Sequence, residues 1–105
     1  MIPKPGEVYL VDLGMAGKVR PVVIVSREDA NAPRALSITV PLTTQNRGSP
    51  YEVQMPRVPW LRHQSIANVQ AMAAYEHYEL LERRGRFDEL TLEKIKDAVR
   101  WALNL

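Results

Sequence analysis

Hydrophobic residues follow two kinds of pattern in the N-terminal part of the chain. Residues 7–13 alternate between two faces, whereas residues 21–25 form a nearly continuous run of β-forming residues. Alternation is typical of a strand with two different faces, here expected to meet the core and a partner, and a continuous run is typical of a central strand. Shorter β-forming segments follow. The pattern predicts strands at residues 7–13, 21–25, 37–42, 51–55 and 65–72.

The last part of the chain has the spacing of an amphipathic helix. Asp88 is a favourable N-cap residue, and Phe87 and Leu92 are placed to form a hydrophobic staple around it. These features predict a helix from about residue 89 to 103 that packs on the sheet. Residues 73–81 fit either a strand exit or a helical turn. The residues expected to form the buried helix stripe are Leu92, Ile95, Val99, Ala102 and Leu103.

Five short strands and one terminal helix indicate a mainly β fold with a single domain over residues 1–105. The expected architecture is a small SH3-like barrel or a curled antiparallel sheet with the C-terminal helix packed on it. A chain of 105 residues, 46% of them hydrophobic, suffices for one core and is too short for two. Cysteine is absent, so stability must come from packing or from a second subunit rather than from disulfides.

Basic residues are concentrated in one part of the chain, although the net charge is only +2. Between residues 18 and 62, seven lysines and arginines stand against three acidic residues. After residue 76 the two signs are balanced, a pattern typical of a solvated helix face. The basic part is therefore the expected position for a polyanion.

Several classes of protein are not supported by the sequence. No apolar run approaches the roughly 20 residues of a membrane span, and the N-terminal sequence lacks the hydrophobic stretch of a signal peptide. We therefore expect a cytoplasmic protein without membrane association. His63 and His77 have neither cysteine nor a helical spacing beside them, so we expect no metal site and no cofactor.

Two polar residues flank the second and third predicted strands in a way that suits phosphate chemistry. Arg20 precedes one strand, and its planar guanidinium can contact two phosphate oxygens while staying charged. Thr43 follows the other strand, where its hydroxyl can donate to a phosphate oxygen or orient an attacking oxygen. Taken alone, Arg20 fits better a structural arginine paired with Asp12 or Glu52, and Thr43 fits better an ordinary β-forming residue.

Three segments carry a family resemblance through their order and spacing: PGEVYLVDL at residues 5–13, RPVVIVS at 20–26 and SITVPLTT at 37–44. They resemble the MazF/PemK/Kid family of bacterial toxin endoribonucleases. The resemblance implies a catalytic role for Arg20 and the functional hydroxyl at Thr43. It also implies a homodimeric, metal-independent toxin that cleaves single-stranded RNA at a short sequence. The implied partner is a cognate antitoxin with a disordered acidic tail.

Further polar residues near this pair are expected to bind RNA. Three of them follow Thr43 on a predicted loop, and Gln70 matches a glutamine that family members carry late in the fifth strand. Trp60 fits either stacking on an unpaired base or, more often in proteins, packing, whether beneath its loop or in a dimer interface. The predicted RNA-binding residues are Lys18, Thr44, Gln45, Arg47, His63 and Gln70.

The chain departs from the family pattern in two places. The loop before Arg20 is shorter than usual, which leaves the RNA sequence preference open. Val69 and Met72 stand where an acidic residue and an arginine commonly flank the glutamine. This second departure leaves open a non-enzymatic toxin that resembles CcdB and binds gyrase. A peptide-binding module has less support, because the few aromatic residues form no visible groove for proline-rich ligands.

Overall fold

A long third strand organises the sheet of this protein, whose computed structural model describes residues 1–14 and 18–105. Within those ranges the chain forms seven strands, two short 3₁₀ turns and one α-helix. The strands are β1 (Glu7–Asp12), β2 (Val19–Ile24), β3 (Leu36–Thr43), β4 (Glu52–Gln54), β5 (Ile66–Asn68), β6 (Ala73–Glu76) and β7 (Leu80–Arg86). The 3₁₀ turns are Val69–Ala71 and His77–Glu79, and helix α1 is Glu89–Ala102.

Strand β3 pairs along both of its edges, and the pairings are antiparallel. One edge pairs with β2 over residues 39–41. The other edge pairs with β6 over residues 36–39 and then with β5 over residues 42–43. The order is β4-β5-β3-β2-β1-β7, with β6 beside β3, and the described end strands β4 and β7 do not pair. The predicted antiparallel sheet with a C-terminal helix is confirmed, as an open sheet of seven strands rather than about five.

The sheet buries two hydrophobic clusters, and β1 contributes to both. Val8 packs in the cluster that includes Ile95 and Ala98 of the helix. Tyr9 and Val11 pack in the other cluster, whose further buried members are Val22, Ile24 and Leu80. Both faces of β1 are thus buried within the chain, and the prediction that one of them meets a partner is wrong.

The helix lies where the periodicity predicts it. The Asp88 carboxylate caps its N-terminus by accepting the N–H of Thr91 at 2.8 Å. The last residue of the predicted stripe, Leu103, lies beyond the helix and is 53% exposed. The apolar positions that are buried are Leu92, Ile95 and Ala98, with Val99 and Ala102 half-buried. Within the described ranges, no helix has the length and apolar character that a membrane span requires.

Strand β7 is absent from the predicted elements because its sequence lacks apolar alternation. It lies at the end of the sheet, and only Leu80 and Gly85 among its residues are buried. An edge strand has one neighbour and needs little apolar surface, so charged residues are common there. Residues 80–86 are therefore strand, and the prediction that the balanced charges after residue 76 form a helix face is wrong for this segment.

Of two further segments, one differs from its predicted structure and the other had been left open. Residues 65–72 form a three-residue strand followed by a 3₁₀ turn rather than one long strand. The turn begins because the Asn68 side-chain oxygen accepts the N–H of Gln70 at 3.1 Å, which competes with the strand conformation. Residues 73–81, which the sequence left open, form β6, a 3₁₀ turn and the first two residues of β7.

A buried carboxylate joins the N-terminus to β7. Glu7 accepts hydrogen bonds from Nε of Arg83 and from the N–H of Lys4, both at 2.6 Å, and from the Tyr9 hydroxyl at 3.3 Å. Burial raises the pKa of Glu7, but the hydrogen bonds from Arg83 and Lys4 outweigh burial and hold the pKa below its usual value. The ionised form of Glu7 therefore stabilises the fold.

We predict that Glu7→Gln lowers the free energy of unfolding at pH 7 by about 1–3 kcal/mol, because it replaces a charged acceptor of several hydrogen bonds. The folded-state pKa is depressed, so the stabilisation is complete above the unfolded pKa of about 4.3 and is lost as pH falls through the folded pKa. Urea denaturation should show the two proteins converging in acid. The matched control is Glu93→Gln, which alters an exposed ion pair with Arg100 and should change stability little. Equal effects of the two substitutions would contradict the prediction.

Gly85 of β7 lies against the indole ring of Trp60. A side-chain carbon at residue 85 would overlap the indole, so only glycine permits this approach. The same ring packs against Phe87, with centroids 5.0 Å apart, and contacts the core cluster. Of the two uses expected for Trp60, the structure shows packing beneath its loop.

We predict that Gly85→Ala destabilises the protein by about 1–3 kcal/mol, because the methyl group displaces a packed indole. Thermal or urea unfolding measures the loss. In a Trp60→Leu background the same substitution should cost less, since the overlapping ring is gone. A penalty that is unchanged in that background would show that the overlap is not its cause.

Candidate active site

Arg20 and Thr43 lie side by side at one end of the β2–β3 pair. The register joins Val22 to Pro41, and its continuation by two residues places Arg20 opposite Thr43. Arg20 is exposed and Thr43 is half-buried. Both line one open cavity of about 340 Å³, so their side chains can contact the same ligand.

The structure does not pair Arg20 with either acidic residue considered from the sequence. The Asp12 carboxylate accepts the N–H of Gly14 at 2.8 Å, and the Glu52 carboxylate accepts hydrogen bonds from the loop that precedes it. The ion pairs found in residues 1–14 and 18–105 do not include Arg20. Its guanidinium is therefore available for an anionic ligand.

The Thr43 hydroxyl is oriented by its own loop. Its oxygen accepts the N–H of Gln45 at 3.2 Å. This bond uses a lone pair and leaves the hydroxyl hydrogen available to donate. Thr43 thus presents a donor beside the guanidinium of Arg20.

A second cavity, of about 500 Å³, also contains Arg20 and Thr43 and extends toward the loop before β5. Arg62, His63 and Arg84 line it, and none of its lining residues in the described ranges is acidic. The Arg84 Nη2 donates to the main-chain carbonyl of Trp60 at 3.3 Å, which holds β7 and the loop together. The second cavity is therefore basic, as a site for a polyanion requires.

A third cavity, of about 410 Å³, lies beside Thr43 and is lined mostly by residues with polar side chains. It contains the predicted residues Gln45, Arg47 and Gln70, brought together from the β3–β4 loop and the 3₁₀ turn after β5. Because Thr43 lines all three cavities, we call them together the Thr43 groove. The further lining residues of the third cavity are Ser49, Tyr51, Glu52 and Asn68.

The structure brings most of the predicted RNA-binding residues into this groove. Thr44, Gln45, Arg47, His63 and Gln70 line it. Lys18 is exposed just before β2 but is not among the lining residues. The connection that contains it, predicted to be short, includes residues 15–17, which lie outside the described ranges.

Arg62, Arg84 and Asn68 line the groove and were not among the predicted site residues. Arg62 belongs to the basic part of the chain, and that excess of charge was its only signal. Arg84 lies in the stretch predicted as a solvated helix face, so its position depends on β7. Asn68 gives no signal from the sequence, because its place opposite Glu52 follows from the β4–β5 pairing.

The family model for PemK-like, MazF-like toxins of type II toxin-antitoxin systems matches residues 4–103. The chain belongs to this toxin family. A sequence search of curated proteins gives no match.

Solved structures agree with the family. An endoribonuclease in complex with its cognate antitoxin, from a mycobacterial species, is 32% identical, with a TM-score of 0.86 and coverage of 98% of this chain and 96% of that one. A second mycobacterial endoribonuclease is 30% identical, with a TM-score of 0.83 and coverage of 100% and 94%. MazF from Deinococcus radiodurans shares the fold at 17% identity, with a TM-score of 0.82 and coverage of 100% and 99%.

The family of this MazF/PemK toxin and the geometry of its candidate site rest on separate observations. The family model and the mycobacterial structures establish a toxin of a toxin-antitoxin system. The structure places Arg20 and Thr43, the two residues that the family resemblance implies for catalysis, on one cavity. The Thr43 groove is thus the candidate active site.

Proposed function

We propose that this toxin is a metal-independent endoribonuclease that cleaves single-stranded RNA at a short sequence. The observation that carries the proposal is the cavity that Arg20 and Thr43 share. A ligand bound there can contact both a guanidinium and a hydroxyl donor. Two mycobacterial relatives are described as endoribonucleases, which supports the same activity here. Such a toxin would act on RNA in the cytoplasm.

The proposed reaction uses the 2′-hydroxyl of the RNA as the nucleophile. The 2′-oxygen loses its proton and attacks the adjacent phosphorus, and the bond from phosphorus to the 5′-oxygen breaks as that oxygen takes a proton. The products are a 2′,3′-cyclic phosphate and a 5′-hydroxyl. DNA lacks the 2′-hydroxyl and should resist cleavage.

Arg20 and Thr43 have distinct roles in this reaction. Arg20 stabilises the negative charge that grows on the non-bridging phosphate oxygens, since two of its N–H donors can contact both oxygens at once. Thr43 donates to the phosphate or orients the 2′-oxygen. His63 lines the 500 Å³ cavity that also contains Arg20 and Thr43.

The groove is open and basic, which suits a single nucleotide strand. Arg47 lies in the cavity on one side of Thr43, and Arg62 and Arg84 lie in the cavity that extends to the other side. Basic side chains along a groove contact successive phosphates without regard to sequence.

The positive charge of the groove also provides a means of regulating the toxin. We propose that a cognate antitoxin covers the groove with an acidic segment that is disordered when free, and that the toxin is a homodimer. A mycobacterial relative and MazF of Deinococcus radiodurans have each been solved with an antitoxin. A basic groove attracts an acidic segment and accelerates its binding.

We predict that the purified protein cleaves RNA in the presence of EDTA and that Arg20→Ala lowers kcat by about 10²–10³, the range for removing one donor to a developing oxyanion. Gel analysis of a long RNA measures cleavage, and DNA of the same sequence should stay intact. The matched control is Arg27→Ala, an exposed arginine after β2 that lies outside the groove. RNA that stays intact with the wild-type protein, combined with capture of gyrase, would instead indicate a CcdB-like toxin.

We predict that Arg84→Ala weakens binding of a 2′-deoxy oligonucleotide, which cannot be cleaved. Removing one phosphate contact should reduce the slope of log K against log salt concentration by about 0.7. Fluorescence anisotropy at several salt concentrations measures both quantities. Arg100→Ala is the matched control, because Arg100 is bound to Glu93 and Asp97 on the helix. An unchanged slope for Arg84→Ala would remove this residue from the phosphate path.

A further inference from the structure

A carboxylate lies within the otherwise basic Thr43 groove. Glu52 begins β4, is half-buried and lines the 410 Å³ cavity beside Thr43. A free carboxylate at this position would repel the phosphates of a bound RNA. Its presence therefore requires an explanation other than contact with the nucleic-acid backbone.

The Glu52 carboxylate accepts hydrogen bonds from the loop that joins β3 to β4. Its Oε2 accepts the N–H of Arg47 at 3.0 Å. Its Oε1 accepts the N–H of Ser49 at 3.0 Å and the Ser49 hydroxyl at 2.7 Å. The bonds from Arg47 and then from Ser49 hold the pKa of Glu52 below its usual value, so the group stays ionised. The carboxylate thus fixes a loop whose groove residues include Gln45 and Arg47.

Other lining residues of the cavity carry side-chain amides. Asn68 is the cross-strand partner of Glu52, and its oxygen accepts the N–H of Gln70 at 3.1 Å. This bond leaves the NH₂ group of Asn68 available to donate. Gln70 is exposed and lines the same cavity, as does Gln45 on the loop side. Amides offer both donors and acceptors, which match the edges of nucleobases.

We propose that Glu52 is a positioning residue that holds the β3–β4 loop as one wall of a cavity for the nucleobase next to the cleaved phosphate. This inference rests on the proposed ribonuclease function. Thr43 lines both this cavity and the one it shares with Arg20, so a nucleotide whose phosphate lies at Arg20 can place a base here. The volume of about 410 Å³ lies within the range of roughly 300–1,000 Å³ that is usual for ligand sites.

The test compares three variants with the wild-type protein. Glu52→Gln keeps the size of the side chain but places an NH₂ group where one acceptor oxygen was. Ser49→Ala removes only the hydroxyl bond of 2.7 Å. Glu93→Gln is the matched control, because it makes the same chemical change on an exposed face of α1.

Two assays are applied to each variant. The first sequences the 5′ ends produced from a long RNA and measures kcat and KM on short RNAs that differ at one base. The second measures, by fluorescence anisotropy, binding of 2′-deoxy oligonucleotides that differ at the same base. Thermal unfolding of each variant is recorded in parallel.

We expect Glu52→Gln to lower kcat/KM on the preferred RNA about tenfold, mainly through KM, as loss of a charge-assisted hydrogen bond does. The preference at one base position should relax in both assays. Ser49→Ala should lower kcat/KM and relax the base preference in the same direction by a smaller amount. It provides the comparison if Glu52→Gln does not fold. Glu93→Gln should keep the wild-type preference.

Two results separate this inference from the proposed function. If the wild-type protein cleaves RNA but Glu52→Gln and Ser49→Ala keep its base preference, the inference is overturned and the nuclease stands. The same holds if kcat falls equally on every RNA together with the unfolding temperature, because Glu52 would then serve stability alone. If RNA stays intact while the binding preference depends on Glu52, the nuclease function fails and the base-binding cavity stands.

Discussion

The pairing of β3 along both of its edges is the constraint on which the rest of this structure depends. Its backbone groups bond to β2 on one side and to β6 and β5 on the other, so one strand joins the two parts of the sheet. The end of that strand is Thr43. Because β2 approaches from one side and β5 from the other, side chains from both converge on this residue.

The position of the groove follows from where regular pairing stops. Pro21 has no N–H to donate, and the regular pairing of β2 with β3 ends at Val22 and Pro41. Beyond that point the two chains still lie beside each other but leave polar groups open to solvent. The site therefore combines a rigid base, set by the sheet, with exposed side chains at its rim.

Carboxylates have organising roles in this protein. Glu7 is buried and ties the N-terminus to β7 through Arg83, and β7 in turn carries Arg84 into the groove. Glu52 bonds to the loop that carries Arg47. In both cases hydrogen-bond donors of the same chain satisfy an ionised carboxylate, which holds a neighbouring segment of the groove in place.

The mainly β fold and the terminal helix followed from the sequence, and the resemblance to the toxin family pointed to the pair Arg20 and Thr43. These features depend on local signals, namely apolar periodicity, the cap at Asp88 and the order of short segments. Tertiary structure alone decided that β7 is a strand and that Arg62, Arg84 and Asn68 reach the groove. These residues reach the groove through pairing between distant segments, as in the β4–β5 register that sets Asn68 opposite Glu52. No local pattern encodes which distant strand will pair.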